Sequence, residues 1–221
     1  MARFKRGFDI DSARRALLKA DPAFAPWVRR IAPLEHAAGW RRPFDVADAL
    51  ARAILYQQLS GKAAATIVAR VEQAMGAPSF HHRNLARLSD EQLRACGVSG
   101  NKVLALRDLA RREKAGEIPD SRRLQYLDNE AIIDALVPTR GIGRWTVEMM
   151  LMFRLGRPDV LPVDDLGVRQ GAMALDGLAA MPAPKALLAR GEAWAPYRTL
   201  AAFYLWRIAD SGKQPAKRSQ D

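Results

Sequence analysis

Two short segments of this chain carry the groups best suited to chemistry. Arg140 to Val147 reads R-G-I-G-R-W-T-V, and about twenty residues later Leu161 to Gln170 reads L-P-V-D-D-L-G-V-R-Q. In Gly141-Ile142-Gly143 neither glycine has a Cβ to obstruct a tight turn or an approaching ligand, so the backbone can turn with its amides outward. A helix opening just after the turn adds partial positive charge, and the amides of Gly143 and Arg144 would then point at a phosphate without touching a base. Binding of that kind is independent of nucleotide sequence. The adjacent carboxylates of Asp164 and Asp165 could do chemistry beside a DNA strand held this way. The plainer alternative is that both acids cap a helix and complement its dipole.

These groups must be positioned by helices, because strand-like alternation is almost absent. Upstream of the hairpin, Asp128-Asn129-Glu130 offers an N-cap for a helix to about Val137, with Leu127, Ile132, Leu136 and Val137 as its apolar face. Trp145 to Phe153 reads as the helix after the hairpin, so the local pattern is helix, hairpin, helix. Elsewhere, Ser12 to Ala20 and Pro22 to Ile31 read as two short helices, with Pro22 suited to a first turn and Pro33 as a break. Val46 to Val71 has helical periodicity interrupted by Gln57-Gln58-Leu59-Ser60-Gly61, which predicts two helices joined by an elbow. Ser89-Asp90-Glu91-Gln92 is a capping box for a helix closed by Gly97, and Lys102 to Lys114 forms a basic amphipathic helix. Further helices are expected from about Asp164, from Pro184 to Trp194 and from Pro196 to Ala209. Ser211 to Asp221 reads as a disordered tail. The fold class expected is all-α.

Composition agrees. The chain has 221 residues and 49% hydrophobic content, enough for one or two small domains with a substantial core. Lys and Arg number 35 against 24 acidic residues, a net charge of +11, which favours an anionic partner such as nucleic acid or a membrane surface. No run of about eighteen apolar residues exists, and M-A-R-F-K-R-G-F-D lacks the hydrophobic core of a signal peptide. A soluble cytosolic protein without membrane attachment is expected. Cys96 is the single cysteine, which excludes an intramolecular disulfide, a CxxC zinc site and a four-thiolate iron–sulfur cluster. It reads as a buried small hydrophobe near a helix end. The histidines are His36, His81 and His82, the last two in a polar stretch expected to be a surface loop. No metal is expected.

Four segments together resemble the helix-hairpin-helix DNA glycosylases, and among them the 3-methyladenine DNA glycosylase II type that removes alkylated bases. They are A-I-L-Y-Q-Q-L-S at Ala53 to Ser60, G-N-K-V-L-A-L-R-D-L-A at Gly100 to Ala110, the hairpin with P-V-D-D, and W-A-P-Y-R-T-L-A-A-F-Y-L-W at Trp194 to Trp206. The resemblance spans about Pro43 to Trp206. It implies two helical subdomains flanking an active-site cleft: residues 1–44 with 176–211, formed by both termini, and the central residues 45–175, with 212–221 as a flexible tail. The amino-terminal mixed β domain of some longer relatives does not fit this length.

What the family does with these positions sets the remaining expectations. Its essential carboxylate follows the hairpin helix, and the motif match favours Asp165. An oxocarbenium-like sugar formed as the base leaves is stabilised by such a carboxylate, which also orients water. Asp164 would then help cap the helix that starts after Pro162. A base must be flipped from the duplex, and Gln57, Gln58 and Leu59 match the segment that enters the minor groove, with Gln58 or Leu59 as the wedge; as residues at a helix end they also fit plain capping. Trp145 and Trp206 are expected as walls for a cationic alkylated base, with Met149 and Tyr56 beside them. Trp194, Tyr197, Phe203, Tyr204, Trp27 and Trp40 are assigned to packing. Met149 stands where some relatives have a pocket aromatic.

Bifunctional members of the superfamily carry a nucleophilic Lys at position 145. Here it is Trp, which implies a monofunctional enzyme with no lyase activity. DNA contacts are expected from Arg140, Gly141, Ile142, Gly143, Arg144 and Thr146, and phosphate contacts also from Lys62 and Lys102. No cofactor is implied. The partner expected is double-stranded DNA with a damaged base, the chain acting as a monomer in a cytoplasmic, bacterial-type, nucleoid-associated setting. A glycosylase for another lesion, or a non-catalytic helix-hairpin-helix DNA-binding protein, are the alternatives.

Overall fold

The computed structural model describes residues 3–31, 37–40 and 42–211. Pro33, His36 and residues 212–221 of the expected tail lie outside the described residues, while Ser211 closes the last helix. No strand occurs among the described residues.

Helix α1 (Ile10–Ala20) starts earlier than Ser12 because Asp9 caps it, accepting from the Ser12 amide at 2.7 Å. Pro22–Phe24 forms a 3-10 turn, with the proline in its first turn, that leads into α2 (Ala25–Arg30). A short α3 (Ala37–Trp40) follows. The interrupted helical pattern resolves into α4 (Val46–Tyr56) and α5 (Gly61–Met75), with the elbow between them. Next come α6 (His82–Leu85), α7 (Asp90–Ala95) behind the full Ser89–Gln92 capping box, and α8 (Gly100–Lys114). After a 3-10 turn at Arg123–Tyr126, Asp128 caps α9 (Asn129–Leu136), and the hairpin leads into α10 (Arg144–Met150). The expected helix to Phe153 changes pitch: Leu151–Leu155 is a π turn. The chain ends with α11 (Leu166–Leu175), α12 (Pro184–Gly191) with a 3-10 turn at Glu192–Trp194, and α13 (Arg198–Ser211).

The chain divides into two compact units, Met1–Phe4 with Pro43–Met150, and Lys5–Arg42 with Leu151–Asp221. The first unit has α8 at its centre, packed by α4, α6 and α7, because Val103, Leu106 and Leu109 recur at helical spacing and are buried. Each such leucine contributes about 1.5–3 kcal/mol by leaving water. The second unit is built on α13, against which α1 and α11 pack, with Leu17, Phe24, Trp194 and Phe203 almost fully buried.

The division falls at Leu151 and not at residue 176 as the sequence suggested, so α11 belongs with the termini. Close helix packing is the cause. A Cβ on Gly171 would lie 2.0 Å from the Leu205 carbonyl oxygen, so the glycine lets the α11 backbone rest directly on α13.

Three further readings change. His81 and His82 are half-buried at the start of α6, not a solvated loop: His81 Nδ1 lies 2.7 Å from Glu113, and the His82 amide donates to the same carboxylate at 2.6 Å. Cys96 is half-buried at the end of α7, and Val137, expected on the apolar face, is exposed at the end of α9. Trp40, Trp194, Phe203 and Tyr204 are buried as expected.

Candidate active site

The carboxylate region lies in the second unit. The turn from Pro162 to Asp165 closes with the Asp165 amide donating to the Pro162 carbonyl at 3.0 Å, and α11 begins at the next residue. Asp165 itself caps that helix: its Oδ1 accepts from the Val168 amide at 2.9 Å. Asp164, to which capping was assigned, is exposed in the turn one residue too early to reach the first free amides. The same Oδ1 of Asp165 also accepts from Trp206 Nε1 at 2.7 Å. Two donors from different helices thus fix the orientation of a half-buried carboxylate.

Trp206 is fixed in turn. Its ring stacks on Phe153 (centroids 5.8 Å apart, 20° between planes) and on Phe203 (6.1 Å, 29°). The π turn presents Phe153 to this stack. Gly167 leaves the room it needs, since a Cβ there would lie 2.8 Å from Trp206 Cδ1 and 3.2 Å from both Asp165 Oδ1 and Trp206 Nε1. Sequence reading overlooked Gly167, although Gly167 and Gly171, four apart, fall on one face of α11.

The hairpin and the elbow lie in the first unit. Gly141 has φ +79°, a backbone conformation that L side chains rarely adopt, and its missing Cβ would sit 3.3 Å from the Ala105 Cβ. Ile142 buries its side chain in the core beneath the turn, and its amide donates to the Thr139 carbonyl at 3.0 Å. The backbone of Arg140 is tied down by its amide, which donates to Asp108 Oδ2 at 2.9 Å, while its side chain is exposed. Burial pushes the Asp108 carboxyl up, but the hydrogen bonds from Arg140, Arg111 and Arg112 hold it below the usual carboxylate range. Gly143 caps α10 with open space where a Cβ would be. Thr146 is half-buried in the first turn of α10.

At the elbow, Gln58 adopts φ +56°, the one non-glycine residue with positive φ among the described residues. Gln58 and Leu59 are exposed, as is Tyr56, so the two wedge candidates stand out from the helix end. Lys62 is exposed in the first turn of α5.

Two of the cations expected at phosphates have partners within the protein. Lys102 donates from Nζ to the carbonyls of Leu55 and Gln57, both at 2.8 Å, and so caps the carboxyl end of α4; burial lowers its pKa. Arg144 grips Glu130 with two nitrogens, at 2.9 and 2.5 Å, and reaches Glu148 at 3.1 Å. The hydrogen bond to Glu130 is the main reason its pKa is raised. Glu148 beneath it is only 5% exposed, and Arg144 supplies the cation that a buried carboxylate needs nearby. Gln57 is also committed, donating from Nε2 to the Gly141 carbonyl at 2.8 Å.

Trp145 is 47% exposed at the start of α10, and Met149, one turn later, is half-buried. No group of three or more His, Cys, Asp or Glu residues able to hold a metal ion occurs among the described residues, and no helix there is long and apolar enough to cross a membrane.

Comparison with known proteins converges on one family. The model of the HhH-GPD superfamily base excision DNA repair protein matches residues 51–196, which include the elbow, the hairpin and Asp165. DNA-3-methyladenine glycosylase 1 of Schizosaccharomyces pombe is 41% identical over 163 residues, 73% of this chain and 72% of that protein. Among solved structures, a DNA-3-methyladenine glycosidase from Bacillus halodurans superposes with a TM-score of 0.81 at 33% identity, over 96% of this chain and 94% of that one. The Schizosaccharomyces pombe 3-methyladenine DNA glycosylase in complex with abasic DNA gives a TM-score of 0.76 at 33% identity, over 92% and 99%. This chain belongs to the HhH-GPD superfamily of base excision DNA repair proteins.

Proposed function

We propose that this protein is a monofunctional DNA glycosylase that removes alkylated bases of the 3-methyladenine type from duplex DNA and so initiates base excision repair. The observation that carries this reading is the Asp165 carboxylate, oriented by Trp206 Nε1 at 2.7 Å and by the Val168 amide at 2.9 Å, beside an indole stacked on Phe153. Relatives and structural neighbours named as 3-methyladenine glycosylases support the substrate class.

In this mechanism the hairpin amides of Gly141 and Gly143 hold a backbone phosphate, and Arg140 adds charge. The target nucleotide is extruded while Gln58 or Leu59 fills the gap, at a cost of a few kcal/mol of unstacking. A base alkylated on a ring nitrogen is cationic, and an aromatic face such as that of Trp206 or Trp145 attracts it by up to about 2 kcal/mol when desolvated. The C1′–N bond then breaks with its electron pair passing to the base, which leaves neutral. The sugar becomes an oxocarbenium ion, stabilised by the negative charge of Asp165. Water adds its oxygen to C1′ and gives its proton to the Asp165 carboxylate, leaving an abasic site. With Trp at position 145 there is no amine to form a Schiff base, so the strand stays intact.

The test is release of free base from duplexes carrying a panel of methylated, oxidised and deaminated bases. Wild type is expected to release methylated purines and to leave the strand uncut, Asp165→Asn to release none, and Asp164→Asn to keep most of the rate. Release of only oxidised or deaminated bases would move the substrate class. Binding without release across the panel would remove the enzymatic claim, and loss of activity in Asp164→Asn alone would move the catalytic role.

A further inference from the structure

Three positions on one face of α8 hold the elbow and the hairpin. Lys102, Ala105 and Asp108 are spaced three apart and so line one side of the helix. Lys102 binds the carbonyls of Leu55 and Gln57 at the end of α4. Ala105 lies under Gly141, and Asp108 takes the Arg140 amide. Gln57 then closes a ring, because its side chain crosses from the elbow to the Gly141 carbonyl at 2.8 Å. That partner is an acceptor only, so the amide nitrogen of Gln57 faces it.

We propose that Gln57 is a positioning residue that locks the wedge to the hairpin, so that gripping a phosphate sets the wedge in register with the nucleotide to be flipped. The inference rests on the glycosylase reading given above. Gln57 is thereby removed from the set of direct DNA contacts. The next residues, Gln58 at φ +56° and Leu59, exposed by 40%, inherit a fixed placement relative to the hairpin amides. Since every link in the ring is between groups of the protein itself, the wedge needs no ordering when DNA binds, which is the usual advantage of preorganisation. A non-glycine residue at positive φ in the wedge segment is backbone strain of the sort that persists where neighbouring contacts over-determine it, and the Lys102 cap with the Gln57 strut supplies those contacts.

The experiment compares wild type with Gln57→Ala, Gln57→Glu and Gln58→Ala. The first arm measures amide hydrogen exchange of the free protein. Gln57→Ala and Gln57→Glu should exchange the Arg140 and Ile142 amides at least fivefold faster, the second because a carboxylate repels the Gly141 carbonyl; Gln58→Ala should leave them unchanged. The second arm measures single-turnover base release at saturating methylated duplex, where both Gln57 variants should be about tenfold slower. Unchanged hairpin exchange with slowed release would mean that Gln57 touches DNA directly, and the proposal would fall. Faster exchange with wild-type release would break the coupling claim. Inactive wild type would refute the glycosylase reading, while the exchange arm would still decide whether the strut exists.

Discussion

Gly167→Ala is a small substitution whose effect on catalysis can be worked out from three distances. The new Cβ would lie 2.8 Å from Trp206 Cδ1 and 3.2 Å from Asp165 Oδ1. Ordinary contact between carbons begins near ~3.5 Å, so the indole must retreat by about 0.7 Å. Phe153 and Phe203 stack on that ring, which restricts how it can yield. A retreat of that size lengthens the 2.7 Å bond from Trp206 Nε1 to Asp165 to as much as about 3.4 Å, past the usual range, so that most of its strength is lost. Losing a hydrogen bond to a charged acceptor costs about 1.5–3 kcal/mol. Expressed in the transition state, that is roughly a ten- to hundredfold slower reaction. Gly167 is the second residue of α11, and an overpacking cost of about 1–3 kcal/mol there should leave the variant folded. The assay is single-turnover release of methylated base at saturating DNA, with binding to undamaged duplex as control. Trp206→Phe keeps a stackable ring without the donor and should be slowed similarly, and the double variant should be little slower than either single one. A folded Gly167→Ala protein with the wild-type rate, or fully additive effects, would refute this chain of reasoning.

Other consequences are as direct. Gly143→Ala meets no protein atom within 4 Å, so it should leave thermal stability within about 1 kcal/mol of wild type while weakening duplex binding, read by fluorescence anisotropy. Arg140→Ala should weaken binding to all sequences alike and reduce the slope of log affinity against log salt by about one. Arg144→Ala removes the guanidinium that faces buried Glu148 and should lower stability by about 1–3 kcal/mol in denaturant titration, a larger effect on folding than Arg140→Ala. The hydrogen bond to Glu113 raises the His81 pKa, so its contribution to stability is full below the unfolded value of about 6.5 and is lost as pH rises through the folded value. His81→Gln should therefore flatten the fall of melting temperature on raising the pH above that point.

Much of this architecture was legible because its signals are local. Capping residues such as Asp128 and Ser89 announce helix starts, and the polar cluster at Gln57 to Gly61 marks the break between α4 and α5. The glycine pair and the two acids were legible as motifs for the same reason. What local signals do not reveal are contacts between residues distant in sequence. A cation near the hairpin suggests a phosphate contact, but the sequence does not show that Lys102 also binds the helix-end carbonyls of Leu55 and Gln57, or that Arg144 also binds Glu130 and Glu148. The placement of α11 with the termini depends on Gly171 meeting the Leu205 backbone, which no periodicity reveals. The motif assigns chemistry to Asp165 and the cap to Asp164, whereas one oxygen of Asp165 takes both the cap hydrogen bond and that from Trp206. A carboxylate whose cap fixes its orientation suits the role proposed for it.

Stabilisation by Asp165 of the positive charge developing on the sugar can be read from the affinity for two duplexes that differ only at the abasic position, one carrying a cationic pyrrolidine ring and the other a neutral tetrahydrofuran. A transition-state mimic should bind at least about a hundredfold tighter to wild type than its neutral counterpart. Asp165→Asn should abolish that preference while retaining its affinity for the neutral duplex. If Asp165→Asn keeps the preference for the cationic ring, or wild type has none, the carboxylate does not do the work assigned to it.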